Sequence, residues 1–145
     1  MNARAPETKL RLDELLVRRA LFATRSRARD AILRGTVRVE GAVVSKPGLA
    51  ISKDSAVETE DAARAYVSRA ALKLAAGLDH FSLSPAELNT LDIGASTGGF
   101  TQVLLERGAA HVTAVDVGRG QMHANLLKDA RISNFEGLNA RELTV

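Results

Sequence analysis

The sequence predicts an α/β protein of two units: a small basic α+β unit, then the first half of a larger domain with a parallel sheet. Three observations carry this. Residues 1–53 hold 12 Lys/Arg against 5 Asp/Glu, whereas from Arg64 onward 8 bases meet 8 acids. The basic part runs from helical to alternating apolar spacing. The neutral part contains a strand, a glycine loop, a helix and a second strand ending in an acid, in that order.

Leu12, Leu15, Leu16 and Ala20 recur at helical spacing, with Arg11, Arg18 and Arg19 among them. Thr24 or Ser26 is placed to cap a second helix whose apolar positions are Ala28, Ala31, Ile32 and Leu33, and Gly35 follows as a stop. Thr36–Val39 alternates and is β-branched, Glu40-Gly41 reads as a tight turn, and Ala42–Val44 returns as a hairpin partner. Lys46-Pro47-Gly48 breaks that run, and Leu49–Val57 reads as one more short strand around Lys53-Asp54. Arg25 and Arg29, four apart, share a helical face, with Ser26 and Arg27 near its start. With Arg34, Arg38, Lys46, Lys9 and Arg11, they suit phosphate oxygens. Because no aromatic platform accompanies them, the pattern favours structured RNA over base-by-base reading of single strands.

Asp54, Glu58, Glu60 and Asp61 form an acidic stretch, and Arg64–Val67 reads as a link. Val67, Ala70, Ala71, Leu74, Ala75 and Leu78 make the apolar stripe of a helix whose other face carries Arg69 and Lys73. Thr90–Ile93 is a short strand, Gly94–Gly99 a glycine loop, Phe100–Arg107 a helix, His111–Val115 a second strand, Gln121–Lys128 a further helix and Ile132–Phe135 a weak third strand. This is half of a Rossmann-like layout. Ser96 occupies the second glycine position of a dinucleotide loop, and no Gly-Lys-Ser/Thr follows. A loop of this form suits a ligand without phosphates, such as S-adenosylmethionine. Asp92 is placed to receive an ammonium group, and Asp116, 24 residues later, to accept from ribose hydroxyls.

The absence of cysteine excludes disulfide scaffolds, thiolate metal sites and cysteine nucleophiles, and fits a cytoplasmic protein. The stretch Met1–Arg11 has no signal-peptide core, and no apolar run approaches membrane-spanning length. His80, His111 and His123 are too scattered for a metal set, so no metal is expected.

Two resemblances follow from the motifs. The stretch from Leu10 to about Glu60, with R-L-D-E-L-L-V-R-R, T-R-S-R-A-R-D-A-I-L-R-G, V-R-V-E-G and S-K-P-G, resembles the RNA-binding domain of ribosomal protein S-four. The later blocks Y-V-S-R-A-A-L-K-L, L-D-I-G-A-S-T-G-G-F and A-V-D-V-G-R-G-Q, with L-N-A-R-E-L, resemble the TlyA family, which joins that domain to an FtsJ-like methyltransferase. Ala70 stands where relatives usually have Gly. The resemblance implies ribose 2′-O-methylation of ribosomal RNA with S-adenosyl-L-methionine, and an older label of haemolysin. It implies cofactor contacts at Asp92, Gly94, Ala95, Ser96, Thr97, Gly98, Gly99, Phe100, Asp116, Val117 and Asn139. Implied RNA contacts are Lys9, Arg11, Arg18, Arg19, Arg25, Ser26, Arg27, Arg29, Arg34, Arg38 and Lys46, with ribosomal RNA or ribosomal subunits as partner. Lys73 matches the first member of a Lys-Asp-Lys-Glu catalytic set, and burial near a sulfonium would lower its pKa.

The expected domains are 9–62 for RNA binding, a linker 63–67, and a truncated methyltransferase domain 68–145. A complete sheet of this kind has about six or seven strands. The remaining catalytic residues have no counterpart before Val145, so the chain is expected to be an N-terminal portion without catalysis of its own. Self-association through an uncovered sheet edge is expected as well. A stand-alone RNA-binding protein is the alternative. A membrane-active haemolysin would need a broad amphipathic face that these helices do not offer.

Overall fold

The computed structural model describes Thr8–Thr144; residues 1–7, which make up most of the Met1–Arg11 stretch without a signal-peptide core, and Val145 lie outside the described residues. The chain divides into two compact units, Met1–Ala62 and Ala63–Val145.

The first unit contains β1 (Lys9–Arg11), α1 (Leu12–Arg18), α2 (Arg25–Leu33), β2 (Val37–Val39), β3 (Ala42–Val43), β4 (Ala50–Ser52) and β5 (Val57–Thr59). Its core is Leu12, Leu15, Leu16, Phe22, Ala28, Ala31, Ile32, Val37, Val39 and Ile51. Helix α1 has no side-chain cap; the amides of Leu12 and Asp13 donate instead to the carbonyls of Leu49 and Pro47 at 2.8 and 3.0 Å. Ala20 does not continue the stripe. It sits at φ 54° as the left-handed stop of α1, with the amide of Leu21 on the Leu16 carbonyl, and Phe22 fills the core instead.

Thr24 caps α2, its hydroxyl accepting from the Arg27 amide at 3.3 Å. Gly35, at φ 74°, ends the helix in a Schellman arrangement with Thr36 bonded to the Ala31 carbonyl. Leu33, expected in the core, is exposed because it lies off the Ala28–Ala31–Ile32 face. The hairpin β2–β3 turns at Glu40-Gly41, both at positive φ, as a two-residue primed turn requires.

The single strand expected over Leu49–Val57 is two. A turn at Lys53-Asp54, with the Ser55 amide on the Ser52 carbonyl, separates β4 from β5. β4 pairs antiparallel with β1, a strand the helical reading of this segment missed. β5 pairs with β2, giving the order β3-β2-β5.

The second unit contains α3 (Ala71–His80), β6 (Asn89–Ile93), α4 (Gly99–Glu106), β7 (His111–Asp116) and β8 (Ile132–Glu136). The three strands form a parallel sheet in the order β6-β7-β8, with Asp92 opposite Ala114 and Asp116 opposite Glu136. α3 and α4 pack through Ala71, Leu78 and Val103. α3 starts at Ala71, after a turn in which the Ser68 hydroxyl accepts the Ala70 amide, so Arg69 and Lys73 do not share a helical face. The expected helix Gln121–Lys128 is only a short 3-10 turn, Leu126–Lys128. Met122 and Leu126 are drawn into a cluster with Ala95 and Ala114, and that packing overrides helical spacing. Among the described residues no helix is long and apolar enough to cross a membrane.

Candidate functional site

Leaving β6 at Ile93, the chain enters α4 through Gly94–Gly98. The amides of Gly94 and Ala95 both donate to the Val115 carbonyl, at 2.8 and 3.2 Å, which ties the loop to β7. Gly94, Ser96 and Gly98 all take positive φ, at 78°, 50° and 95°. Gly98 has a second constraint: a Cβ there would lie 2.4 Å from Leu126 Cδ1 and 2.6 Å from Met122 Sδ. Ser68 packs on Gly99, where a Cβ would stand 2.9 Å from its own.

These backbones enclose a pocket of about 250 Å3 at the C-terminal end of β6, lined by Ser68, Ala70, Asp92, Ile93, Gly94, Ala95, Ser96, Thr97, Gly99 and Phe100. In open α/β sheets this end is where ligands sit. Sites that hold a whole small molecule run to roughly 300–1,000 Å3. A pocket of this size suits one end of such a ligand.

Asp92 is the charged residue at its floor. It is 5% exposed and accepts hydrogen bonds from Thr101, whose hydroxyl donates at 2.6 Å and whose backbone amide faces the same carboxylate. Burial pushes its carboxyl above the usual range, and the nearby charge of Asp116 pushes the same way. Among the described residues no basic side chain pairs with it. The buried carboxylate therefore favours an incoming cation.

Asp116 closes β7. One oxygen accepts the Ser96 amide and the other the Gly118 amide, each at 2.7 Å. Both oxygens keep a further lone pair. Asp116, Val117 and Asn139 do not line the pocket. Val117 is exposed just beyond β7. Asn139 caps a short 3-10 turn by accepting the Arg141 amide, and the Leu138 amide donates to the Asp116 carbonyl, which brings this segment beside the end of β7. Lys73 lies on α3, exposed and outside the pocket lining, so the burial expected of it is not present. Ser68, Ala70 and Ile93 line the pocket without having been singled out as site residues; the signal for Ser68 was Gly99, whose missing side chain makes room for it.

In the first unit the expected basic residues separate into two kinds. Arg11 and Arg25 converge on Asp13, fully buried, at 3.0 and 3.2 Å, and Arg11 in particular holds that carboxyl below its usual range. Arg18 pairs with Glu14 at 2.6 Å, Arg34 with Asp61 at 2.7 Å and Asp30 at 3.3 Å. Arg19 holds the Lys53 and Ser55 carbonyls, and Arg38 reaches the Gly41 carbonyl. These arginines partly serve the fold. Lys9, Arg29 and Lys46 are exposed and make no ion pair among the described residues, and Ser26 and Arg27 sit on the first turn of α2.

Residues 66–145 match the FtsJ-like methyltransferase family, and residues 10–57 match the S4 domain. The chain belongs to the FtsJ-like methyltransferase family. Ahead of its FtsJ-like part stands the S4 domain. It is 47% identical over 137 residues to the 16S/23S rRNA (cytidine-2′-O)-methyltransferase TlyA of Mycobacterium tuberculosis, covering 94% of this chain and 51% of that protein. It is 40% identical over 134 residues to Hemolysin A of Brachyspira hyodysenteriae, covering 92% and 55%. A solved hemolysin-like structure from Streptococcus thermophilus superposes with a TM-score of 0.58 at 40% identity, over 94% of this chain and 50% of that one. The chain thus spans about half the length of the curated relatives it matches.

Proposed function

We propose that the chain carries the RNA-binding unit and the cofactor-binding half-site of an S-adenosylmethionine-dependent ribosomal RNA ribose 2′-O-methyltransferase. The observation that carries the cofactor part is Asp92, a carboxylate buried at the pocket floor with Thr101 as its hydrogen-bond partner. An ammonium group supplies the missing counter-charge. The pocket itself has room for the amino-acid end of the cofactor. Its loop backbones approach without side chains at Gly94 and Gly99, and Phe100 and Ile93 offer apolar walls. Asp116 would take ribose hydroxyls on its unused lone pairs, with Val117 and Asn139 beside the base. When bound, the cofactor supplies an electrophilic methyl group. Lys73 is assigned to the 2′-hydroxyl of the RNA, from an exposed position that bound RNA would cover.

The first unit would hold structured ribosomal RNA, as naked RNA or in a ribosomal subunit, through phosphates. Arg29, Lys46 and Lys9 make no ion pair among the described residues, and Arg25 and Arg11 are held in place by Asp13. Such a substrate implies a cytoplasmic location. Self-association would use β6, which has a strand neighbour on one side only among the described residues and exposes Leu91 and Ile93. One observation favours a second reading, RNA binding without catalysis: Lys73 stands outside the pocket lining.

Binding of S-adenosylhomocysteine and of a structured ribosomal RNA fragment, each measured on the chain and on two variants, tests the proposal. Asp116→Ala should abolish cofactor binding and spare RNA binding, and Arg29→Ala with Lys46→Ala should do the reverse. A chain that binds neither ligand would overturn it.

A further inference from the structure

The loop that follows β7 has an anchor that neither the motifs nor the pocket reveal. Gly118–Met122 includes two glycines and must still present one amide to Asp116 and one side chain to the core. Glu136, the last residue of β8 and the direct neighbour of Asp116 across the sheet, supplies what holds it. Its carboxylate accepts the Gly120 amide at 2.7 Å, and the Asn134 side chain donates to its other oxygen at 3.1 Å. The amides of Gln121 and Met122 face the same carboxylate, and together these donors keep its carboxyl below the usual range. Gly137 closes the arrangement, its amide donating to the Gly118 carbonyl at 2.9 Å.

The consequences run back to the pocket. Met122, fixed at the end of this loop, packs with Ala95 and Ala114 and lies against Gly98. The His123 amide donates to the Thr97 carbonyl at 3.1 Å. Gly118, at the start of the loop, occupies one oxygen of Asp116. The loop and the next residue, His123, therefore meet the glycine loop at Ala95, Gly98 and Thr97, and the loop meets Asp116 at one oxygen. Glu136 does not line the pocket.

We propose that Glu136 is the positioning residue of the cofactor site, fixing Gly118–Met122 so that Asp116 and the Gly94–Gly99 loop keep their ligand-ready shape. The inference rests on the cofactor reading given above. It adds a residue on the third strand that acts only through backbone amides, so a loss at Glu136 should appear as lost preorganisation rather than a lost contact.

Calorimetric titration of the full chain with S-adenosylhomocysteine, alongside amide exchange, tests it. Glu136→Ala should weaken binding about tenfold, the equivalent of one hydrogen bond to a charged group. Glu136→Gln, which keeps one acceptor oxygen, should recover part of that loss. In both variants the amides of Gly118, Gly120 and Met122 should exchange faster while those of Ala114 and Val115 in β7 stay protected. Affinity for structured RNA should not change, because Glu136 lies outside the first unit, and the retained protection of β7 separates lost preorganisation from unfolding of the second unit. Equal cofactor affinity in the unmodified chain and both variants overturns the inference alone. No binding by the unmodified chain overturns the cofactor reading, and the inference with it.

Discussion

Replacing Asp92 by Asn should make the second unit more stable and the cofactor site worse. The carboxylate is 5% exposed, and its one side-chain donor is Thr101 at 2.6 Å. An amide of the same shape keeps an acceptor for that hydroxyl, at a loss of about 0.5–1 kcal/mol for exchanging a charged partner for a neutral one. Against this stands relief of a buried charge, worth up to several kcal/mol even after relaxation. The sum favours the variant by about 1 kcal/mol, the usual size of gains made where function has displaced stability.

The pH dependence gives an internal check. Burial raises the Asp92 pKa above its unfolded value, so its protonated form is the one the fold favours. Native stability of the unmodified unit should fall as pH rises from the ordinary carboxylate range through the folded pKa, and the gap to Asp92→Asn should open over that window. Amide exchange of Val112, Ala114 and Val115 reports the global opening of this unit directly. Cofactor affinity should meanwhile drop about tenfold or more, since an ion pair with the ammonium becomes a contact to a neutral acceptor. An Asp92→Asn chain less stable than the parent at neutral pH, or one that binds S-adenosylhomocysteine as tightly, would refute the reasoning.

Three further outcomes are expected. Asp13→Ala should destabilise the first unit by about 2 kcal/mol, because two half-exposed arginines lose a fully buried partner. The Asp13 carboxyl is held low by Arg11, so its contribution is present above the ordinary carboxylate range and lost as pH falls through the folded pKa; exchange at Ile32 and Val37 measures both. Gly98→Ala should cost about 1–3 kcal/mol in the second unit, since the added Cβ meets Leu126 and Met122 at a φ of 95°, and thermal unfolding reads it. Replacing Arg29 and Lys46 together by Ala should lower the salt slope of RNA binding by about 2 without affecting stability, whereas Arg34→Ala should chiefly destabilise, because Arg34 is already paired with Asp61 and Asp30.

What was legible in the sequence was whatever local chemistry dictates. Gly35 had to stop α2, Glu40-Gly41 had to turn the hairpin, and the strand–loop–helix–strand order of the second unit follows from period and glycine placement. What was not legible depends on partners distant in the chain. β1 exists because β4 lies beside it, and Leu49–Val57 splits because its two ends join different sheets. The Gln121–Lys128 segment has helical spacing at Met122 and Leu126, yet both are drawn under the glycine loop instead. At the site, the loop and its two acids could be read from spacing. The exposure of Lys73, the use of Asp116 to hold Ser96 and Gly118, and the capture of Arg11 and Arg25 by Asp13 could not, since each is a tertiary arrangement.

The central claim is that Asp92, the Gly94–Gly99 loop and Asp116 form a site for S-adenosylmethionine. Backbone amide shifts of the 145-residue chain during titration with S-adenosylhomocysteine test it most directly. The account predicts saturable shifts concentrated in Asp92–Phe100 and in Asp116–Gly118, with residues 9–60 of the basic unit unmoved. No saturable shift in either segment, or shifts centred on the basic unit, would contradict it.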